Sequence, residues 1–447
     1  MNRRTTGTVA ALLCFSTLYA HAQQPAVLSL KDAQQLALAN RPLLRAGQLS
    51  VAAARQNTLQ VESVRYPQLS ANVTAANAYR ETTVQEGKDV TLDTRIAAGG
   101  LNNPIVLRRE SNGLALSQLV TDFGRTASLV ESAKLSETAQ QHQVNATRAQ
   151  ILLDVSQAYF AALEAQAVLL VAAKTVDARN LLLEKIFLLA KSKMKSELDV
   201  RFAQVNLDEA KLLRLRADNA VDAAFARFST SLGYRDARRF VLIDESNAAG
   251  PPNDLDSLLA QAIAARPDLA SLRADQEAAK KFAEAARALR LPTINAYAAA
   301  GITPYGDERL SRNYGAIGIN LNLPLLDGGK ISALQEQAQL RALALSEDVT
   351  EAENNVFRGV RVAWLNARAG YENIAITDHL RSAASQALSL AESRYNLGIT
   401  SIVELNQAQL SAIDAEISYS QAKYQYLIAR STLDYQVGAL DMVGTTR

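Results

Sequence analysis

Two hydrophobic periods alternate along the chain. Leu69, Ala71, Val73 and Ala75 alternate with Ser70, Asn72 and Thr74, and Ile317, Ile319, Leu321 and Leu323 alternate with Gly318, Asn320 and Asn322. A period of two marks a strand with one apolar and one polar face. Leu114 to Val120 and Thr293 to Ile302 are weaker strand candidates. Two strand pairs are therefore expected, each joined by a polar loop, about Glu81 to Asn112 in the first and about Thr303 to Asn313 in the second. After each pair the period changes. Gly124 to Gly233 encloses neither glycine nor proline, and Gly329 to Gly438 encloses no proline and only Gly359, Gly370 and Gly398. Both stretches are rich in good helix formers. A helix from Arg125 to about Ser192 would run on the order of 100 Å at ~1.5 Å per residue, well beyond a globular helix.

The returning segments carry a seam at spacings of three and four. In the first it runs through Val200, Ala203, Leu207, Ala210, Arg214, Ala217, Val221, Ala224 and Phe228. In the second it runs through Leu405, Ala408, Ala412, Ala415, Tyr419, Ala422, Tyr426, Ala429 and Leu433. This is a coiled-coil pattern.

The two halves are copies. Ala37 to Pro42 corresponds to Ala262 to Pro267, and Pro67 to Pro292, both displaced by 225 positions. Gly124 corresponds to Gly329, Ser196 to Ser401 and Gly233 to Gly438, displaced by 205. The difference, 225 less 205, is a 20-residue insertion in the first copy between Pro67 and Gly124. The first repeat is assigned to 23–250, with its strand pair at about 66–123 and its helical hairpin at 125–232. The second is assigned to 251–447, with its strand pair at about 291–327 and its hairpin at 330–437. Gly250-Pro251-Pro252 punctuates the join.

Residues 1–22 read as an export leader: Arg3 and Arg4, an apolar run from Val9 to Tyr19, and the small-x-small site Ala20-His21-Ala22. The only cysteine, Cys14, lies within it. Bulky Leu13 before Cys14 argues against a lipid anchor there. A mature chain without cysteine has no disulfide and no thiolate chemistry. The formal charge of +2 and a charged fraction of 21% carry no nucleic-acid footprint. No later apolar run is expected to be long enough for a membrane helix, so a membrane location requires a closed β-barrel. His142 and His379 stand singly in helical stretches, no pair forms a metal motif, and no phosphate loop occurs. Trp364 lies mid-helix, where packing is its expected role. Neither an enzyme nor a cofactor site is expected.

The order and spacing of several segments resemble the TolC-like outer-membrane efflux protein family, or outer membrane factors. They are the duplicated Ala-Arg-Pro region, Val120-Thr121-Asp122-Phe123-Gly124-Arg125, Leu323 to Lys330, and Tyr395-Asn396-Leu397-Gly398 followed by Ile402-Val403-Glu404-Leu405. The resemblance covers nearly all of the chain after the leader. It implies a mostly α protein with a membrane β-barrel portion, whose two-repeat protomer combines long coiled-coil helices with four strands. It further implies a homotrimer with a 12-stranded barrel in outer-membrane lipid and an α-barrel in the periplasm. The implied role is a passive exit duct of a tripartite efflux or type I secretion system, docked to a periplasmic adaptor and an inner-membrane pump. The competing class is a periplasmic coiled-coil adaptor without a pore. Cargo stays open among drugs, metals, other small molecules and polypeptides.

The hairpin turns hold the candidate site. Asp199 and Glu404 occupy equivalent positions. In the resembled family, acidic residues line a constricted periplasmic gate and a tyrosine before the turn helps close it. Glu404 and Tyr395 match those positions in the second copy, and Asp199 matches an acidic one in the first. Gln407 stands where a second acid can occur, and Thr400 where an arginine can. Lys193 replaces the turn glycine found at Gly398, and with Lys191 and Lys195 it makes the first turn basic. Lys193, Ser196, Gly398 and Ser401 are the adaptor-docking candidates. Ser401 to Glu404 also reads as a capping box, with Ser196 to Asp199 a near variant. Capping and pore lining are compatible.

Overall fold

The structure, a computed structural model, describes residues 27–77, 108–244, 249–303 and 312–440. The expected leader, Cys14 and most of the first outer loop lie outside the described residues. In chain order the first elements are β1 (Val27–Leu28), α1 (Leu30–Asn40), α2 (Pro42–Glu62) with a 3-10 turn (Ser63–Arg65), β2 (Gln68–Asn77), β3 (Arg108–Thr121), α3 (Arg125–Lys191) and α4 (Glu197–Ser231). Then follow β4 (Val241–Leu242), α5 (Leu255–Ala265), α6 (Pro267–Arg287) with a 3-10 turn (Ala288–Arg290), β5 (Thr293–Ile302), β6 (Asn313–Asn322), α7 (Lys330–Asn396) and α8 (Ile402–Gln436). Shifted by 225, the bounds of α1, α2 and β2 fall on those of α5, α6 and β5. Shifted by 205, α3 and α4 fall on α7 and α8.

The four long strands form one antiparallel sheet in the order β2-β3-β5-β6. Register puts Leu69 opposite Leu116, Leu116 opposite Ala298 and Ala298 opposite Ile317, so an apolar row crosses all four strands on one face. The other face carries Ser70, Asn72, Ser117, Asn295 and Asn320. The apolar face is uncovered: Ile317 is 90% exposed. The first loop is shorter than the sequence reading had it. Positions 108–112 belong to β3, where pairing from Asn77 with Arg108 to Val73 with Asn112 overrides the polar composition. At the inner end the β3–β5 register slips between Leu119 and Thr121, a bulge at Val120 where the sheet gives way to helix.

Both strand pairs enter their long helix through the same device. Gly124 and Gly329 take left-handed backbone angles, φ +94° and +87°, at the N-caps of α3 and α7. The carboxylates of Asp122 and Asp327 accept from the first free amides: Thr126 N–H at 2.7 Å in one case, Gly329 N–H at 3.0 Å and Ile331 N–H at 2.6 Å in the other. An anion at a helix N-terminus also meets the positive end of the helix dipole. Each long helix has 67 residues and each return helix 35. One 18-residue window of α3 has a mean hydropathy of 1.4, enough by length and composition to cross a membrane. This corrects the expectation that no such run exists. The apolarity serves packing: α3 lies against α2, α4, α6 and α8, and its Val155, Tyr159, Phe160 and Leu163 belong to a buried core cluster. The α4 seam is buried at Ala203, Leu207, Ala210, Ala217, Val221 and Phe228, but Arg214 is exposed. Its long charged side chain favours water over the helix interface.

The Arg-Pro duplication is explained by the joints. Pro42 and Pro267 start α2 and α6, where a missing amide proton is harmless. The preceding Arg41 donates to Thr230 O at 3.2 Å, and Arg266 to Gln436 O at 3.3 Å, so each cation sits at the carbonyl end of a return helix. Their counter-ions differ. Arg41 is 3.6 Å from Asp154, whereas Arg266 is held at 2.5 Å by Asp268, two residues on. Beside each joint the return helix ends at a left-handed glycine, Gly233 or Gly438, packed on the end of α1 or α5.

The connector between repeats is fastened to the bundle. β1 pairs in parallel with β4, and the Tyr159 hydroxyl lies 2.6 Å from Ile243 O and 3.0 Å from Leu28 O. Trp364 packs beside a second core cluster and donates its indole N–H to Pro252 O at 2.8 Å. Gly438→Ala is expected to lower thermal stability in detergent, followed by circular dichroism, more than Gly124→Ala. Both substitutions force a left-handed alanine, at a cost of about 1–2 kcal/mol. Only at Gly438 would the new Cβ also lie 3.1 Å from the Ala265 backbone, while at Gly124 nothing lies within 4 Å. Equal losses would show that the joint with α5 contributes nothing.

Candidate functional site

The far ends of the two hairpins meet in a small core. Ile186 of α3, Ala203 of α4, Ala391 and Tyr395 of α7, and Ile402 and Leu405 of α8 bury one another there. Both turns are Schellman motifs. In the first, Lys193 N–H donates to Ala190 O at 2.9 Å and Met194 N–H to Leu189 O at 2.8 Å. In the second, Gly398 N–H donates to Tyr395 O at 3.1 Å and Ile399 N–H to Arg394 O at 3.0 Å. The motif requires a left-handed residue after the C-cap, usually glycine. Gly398 supplies it at φ +73°, but Lys193 is forced to φ +63°.

The caps reverse the sequence reading. Ser196 and Asp199 form the full reciprocal box: Asp199 N–H donates to Ser196 Oγ at 3.2 Å, and Ser196 N–H to Asp199 Oδ2 at 3.0 Å. At the second turn only half of a box exists. Glu404 N–H reaches Ser401 Oγ at 3.4 Å, while the Glu404 carboxylate turns instead to the Thr400 hydroxyl and to Arg394 at 3.5 Å. The longer side chain, with a cation in the preceding helix, finds a better partner than its own cap. Glu404 thereby ties the start of α8 to the last turn of α7.

Tyr395 is the buried centre of the tip, at 3% exposure. Its hydroxyl has no hydrogen-bond partner among the described residues, and Lys195 Nζ stands 3.9 Å above its ring. Burial first, and the Asp199 charge second, push its pKa up to about 12. The fold thus brings Tyr395, Lys195 and Asp199 together, and leaves Glu404 with Arg394 and Thr400. Gln407, Lys193, Ser196, Gly398 and Ser401 are exposed. Two further links between the copies escaped the sequence reading. Lys185 Nζ donates to Asn396 Oδ1 at 2.7 Å. Arg179, 4% exposed, donates to Gln409 and, at 3.4 Å, to Asn406. The available signal was asymmetry: the 205 shift sets Arg179 against Ala384 and Tyr395 against Ala190. Among the described residues no acidic, His or Cys cluster forms a metal site.

A sheet with an uncovered apolar face, continued by helices of 67 residues that meet at a charged tip, defines the class: an outer-membrane duct with a large helical periplasmic portion. The outer membrane efflux protein model matches residues 33–234 and 258–439, and the chain belongs to that family. It is an outer-membrane channel for efflux or type I secretion. It is 25% identical over 422 residues to outer membrane protein TolC of Salmonella enteritidis, covering 91% of this chain and 81% of that one. It is 28% identical over 183 residues, 40% of this chain and 38% of the relative, to alkaline protease secretion protein AprF of Pseudomonas aeruginosa. In fold it is similar to a crystal structure of a membrane protein from Pseudomonas aeruginosa, with a TM-score of 0.77 at 24% identity, covering 92% of this chain and 93% of that one.

Two predictions concern the tip. Lys193→Gly should slow amide exchange at the first turn, by relief of about 1 kcal/mol of backbone strain, while Ser196→Ala should speed it by a similar loss of about 1 kcal/mol. Hydrogen exchange read by mass spectrometry checks both, and an unchanged turn in either variant would refute the corresponding assignment. Separately, the Tyr395 phenol favours its neutral form in the fold. The stability it contributes is complete below its ordinary pKa of 10.0 and is lost as pH rises toward about 12. Alkaline titration of phenolate absorbance, with Tyr395→Phe as the reference, should show one tyrosine ionising about two units late.

Proposed function

We propose that three copies of the chain close a 12-stranded barrel in outer-membrane lipid and an α-barrel below it, forming a passive exit duct for a periplasmic adaptor and an inner-membrane pump. The observation that carries this reading is the pair of free edges. β2 and β6 end the sheet, each ten residues long, with no strand beside them among the described residues. Unpaired backbone groups are not tolerated in lipid, and four strands are too few to close. Pairing β6 of one copy with β2 of the next removes every edge. A pore-free periplasmic adaptor would have no use for the uncovered apolar face.

In this duct the tip is the gate and the docking end. Tyr395, packed under Lys195 and beside Asp199, holds the two hairpins of one chain together, and Asp199, Glu404 and Gln407 face the constriction. Lys193, Ser196, Gly398 and Ser401 form the turns offered to the adaptor. AprF is by its name a protease secretion protein, so a polypeptide cargo stands beside small molecules for this chain. The protein extracted from outer membranes should migrate as a trimer unless heated, and Glu404→Gln trimers should show reduced cation selectivity in single-channel recordings. Monomers in mild detergent would refute the assembly. Unchanged selectivity in intact trimers would leave Glu404 only its bonds to Arg394 and Thr400.

A further inference from the structure

The polar face of the sheet has a property the alternation alone does not require: it carries no charge over most of its length. Its side chains are hydroxyls, amides and small residues, among them Ser70, Asn72, Ser117, Tyr297, Asn295, Asn320 and Asn322, with Leu119 the aliphatic exception. By register Glu110, opposite Ala75, falls on the apolar face, and among the described side chains no Asp, Glu, Lys or Arg lies on the polar face of the four strands. At the inner end the next acids along the chain are Asp122 and Asp327, and both are engaged in capping α3 and α7. The same face is smoothed where Tyr314 stands. Tyr314 lies over two glycines: a Cβ on Gly113 would be 2.1 Å from the Tyr314 hydroxyl, and one on Gly301 would be 2.5 Å from its ring. Two glycines in neighbouring strands thus make room for a ring to lie along the wall. Asn295 stands opposite Asn320, next to the bulge, so amides line the end nearest the helices.

We infer that the membrane section of the lumen is an uncharged sleeve of amides and hydroxyls, which admits anionic and cationic solutes alike and leaves selection by charge to the helical end. The inference rests on the trimeric barrel proposed above, with the apolar face toward lipid. The sleeve spans the rows from Tyr314 to Asn322, roughly 25 Å at about 3.3 Å per residue.

Thiol accessibility tests it, since reagent reaches the sleeve from the outer mouth whatever the state of the tip. Cys14, the only cysteine, is replaced by alanine, and Asn320→Cys, Asn295→Cys or Ile319→Cys is added singly. Trimers in liposomes are treated with membrane-impermeant cationic or anionic methanethiosulfonates. The two lumenal cysteines should react with both reagents at rates within about threefold of each other, and Ile319→Cys with neither. A preference of more than about tenfold for one sign in intact trimers overturns the neutral sleeve alone. Reaction at Ile319→Cys with silence at both asparagine positions overturns the assignment of faces. Absence of a heat-modifiable trimer in the cysteine-free parent overturns the assembly beneath both.

Discussion

Two edges of the sheet, β2 and β6, need hydrogen-bond partners that this chain does not supply among its described residues. In lipid each unpaired backbone N–H or C=O costs several kcal/mol, and β2 and β6 each present a row of them. The chain therefore cannot complete its own membrane section. In the assembly proposed above, the uncovered apolar face and the free edges are a single problem with a single answer, the next copy. The helices inherit that answer, because each strand pair hands the chain to its long helix through a rigid cap, Asp122 with Gly124 or Asp327 with Gly329. In the proposed barrel, these caps would carry the geometry of closure to the start of α3 and α7.

The two copies agree where the fold needs a joint and differ where it needs a tip. Arg41 and Arg266 cap the return helices in the same manner, and Gly233 and Gly438 make the same close approach to the end of a short helix. These joints can be identical because both hairpins must be hung alike. At the far end the equivalences fail. Lys193 stands against Gly398, Ala190 against Tyr395, and Arg179 against Ala384. The consequence is contact between unlike surfaces: Lys195 of one turn covers Tyr395 of the other, and Lys185 reaches Asn396. Two identical tips would have no reason to interlock in this way.

Much of this was legible in sequence, for physical reasons that also set the limit. Alternation at Leu69 and Ile317 reports one buried or lipid-facing side, and it located the strands. Absence of glycine and proline after Gly124 located the helices. What alternation cannot report is how far pairing extends, so the polar residues 108–112 were read as loop although β2 holds them in the ladder. Spacing cannot report where a flexible carboxylate points. Ser401 and Glu404 have the better capping-box spelling, yet Arg394 and Thr400 draw Glu404 away, and the shorter Asp199 makes the box instead. Nor does a lone arginine in a helix announce that it is buried. Arg179 becomes visible only once Asn406 and Gln409 are brought to it from the other repeat.

Placement of charge along the proposed duct follows the dielectric around it. A ring of like charges in a lumen walled by lipid would feel more of its own repulsion than one in open water, although water and ions in the lumen still screen it. The same ring at a helical tip in the periplasm is bathed in water and counter-ions. A sleeve of amides and hydroxyls keeps water in the lumen through hydrogen bonds without that penalty. In the proposed duct charge is then used at the tip, where Asp199, Glu404, Lys193 and Arg394 lie near the turns that flank Tyr395. Selection by charge and control of opening in that duct fall together at the tip, where charged side chains of both hairpins meet bulk water.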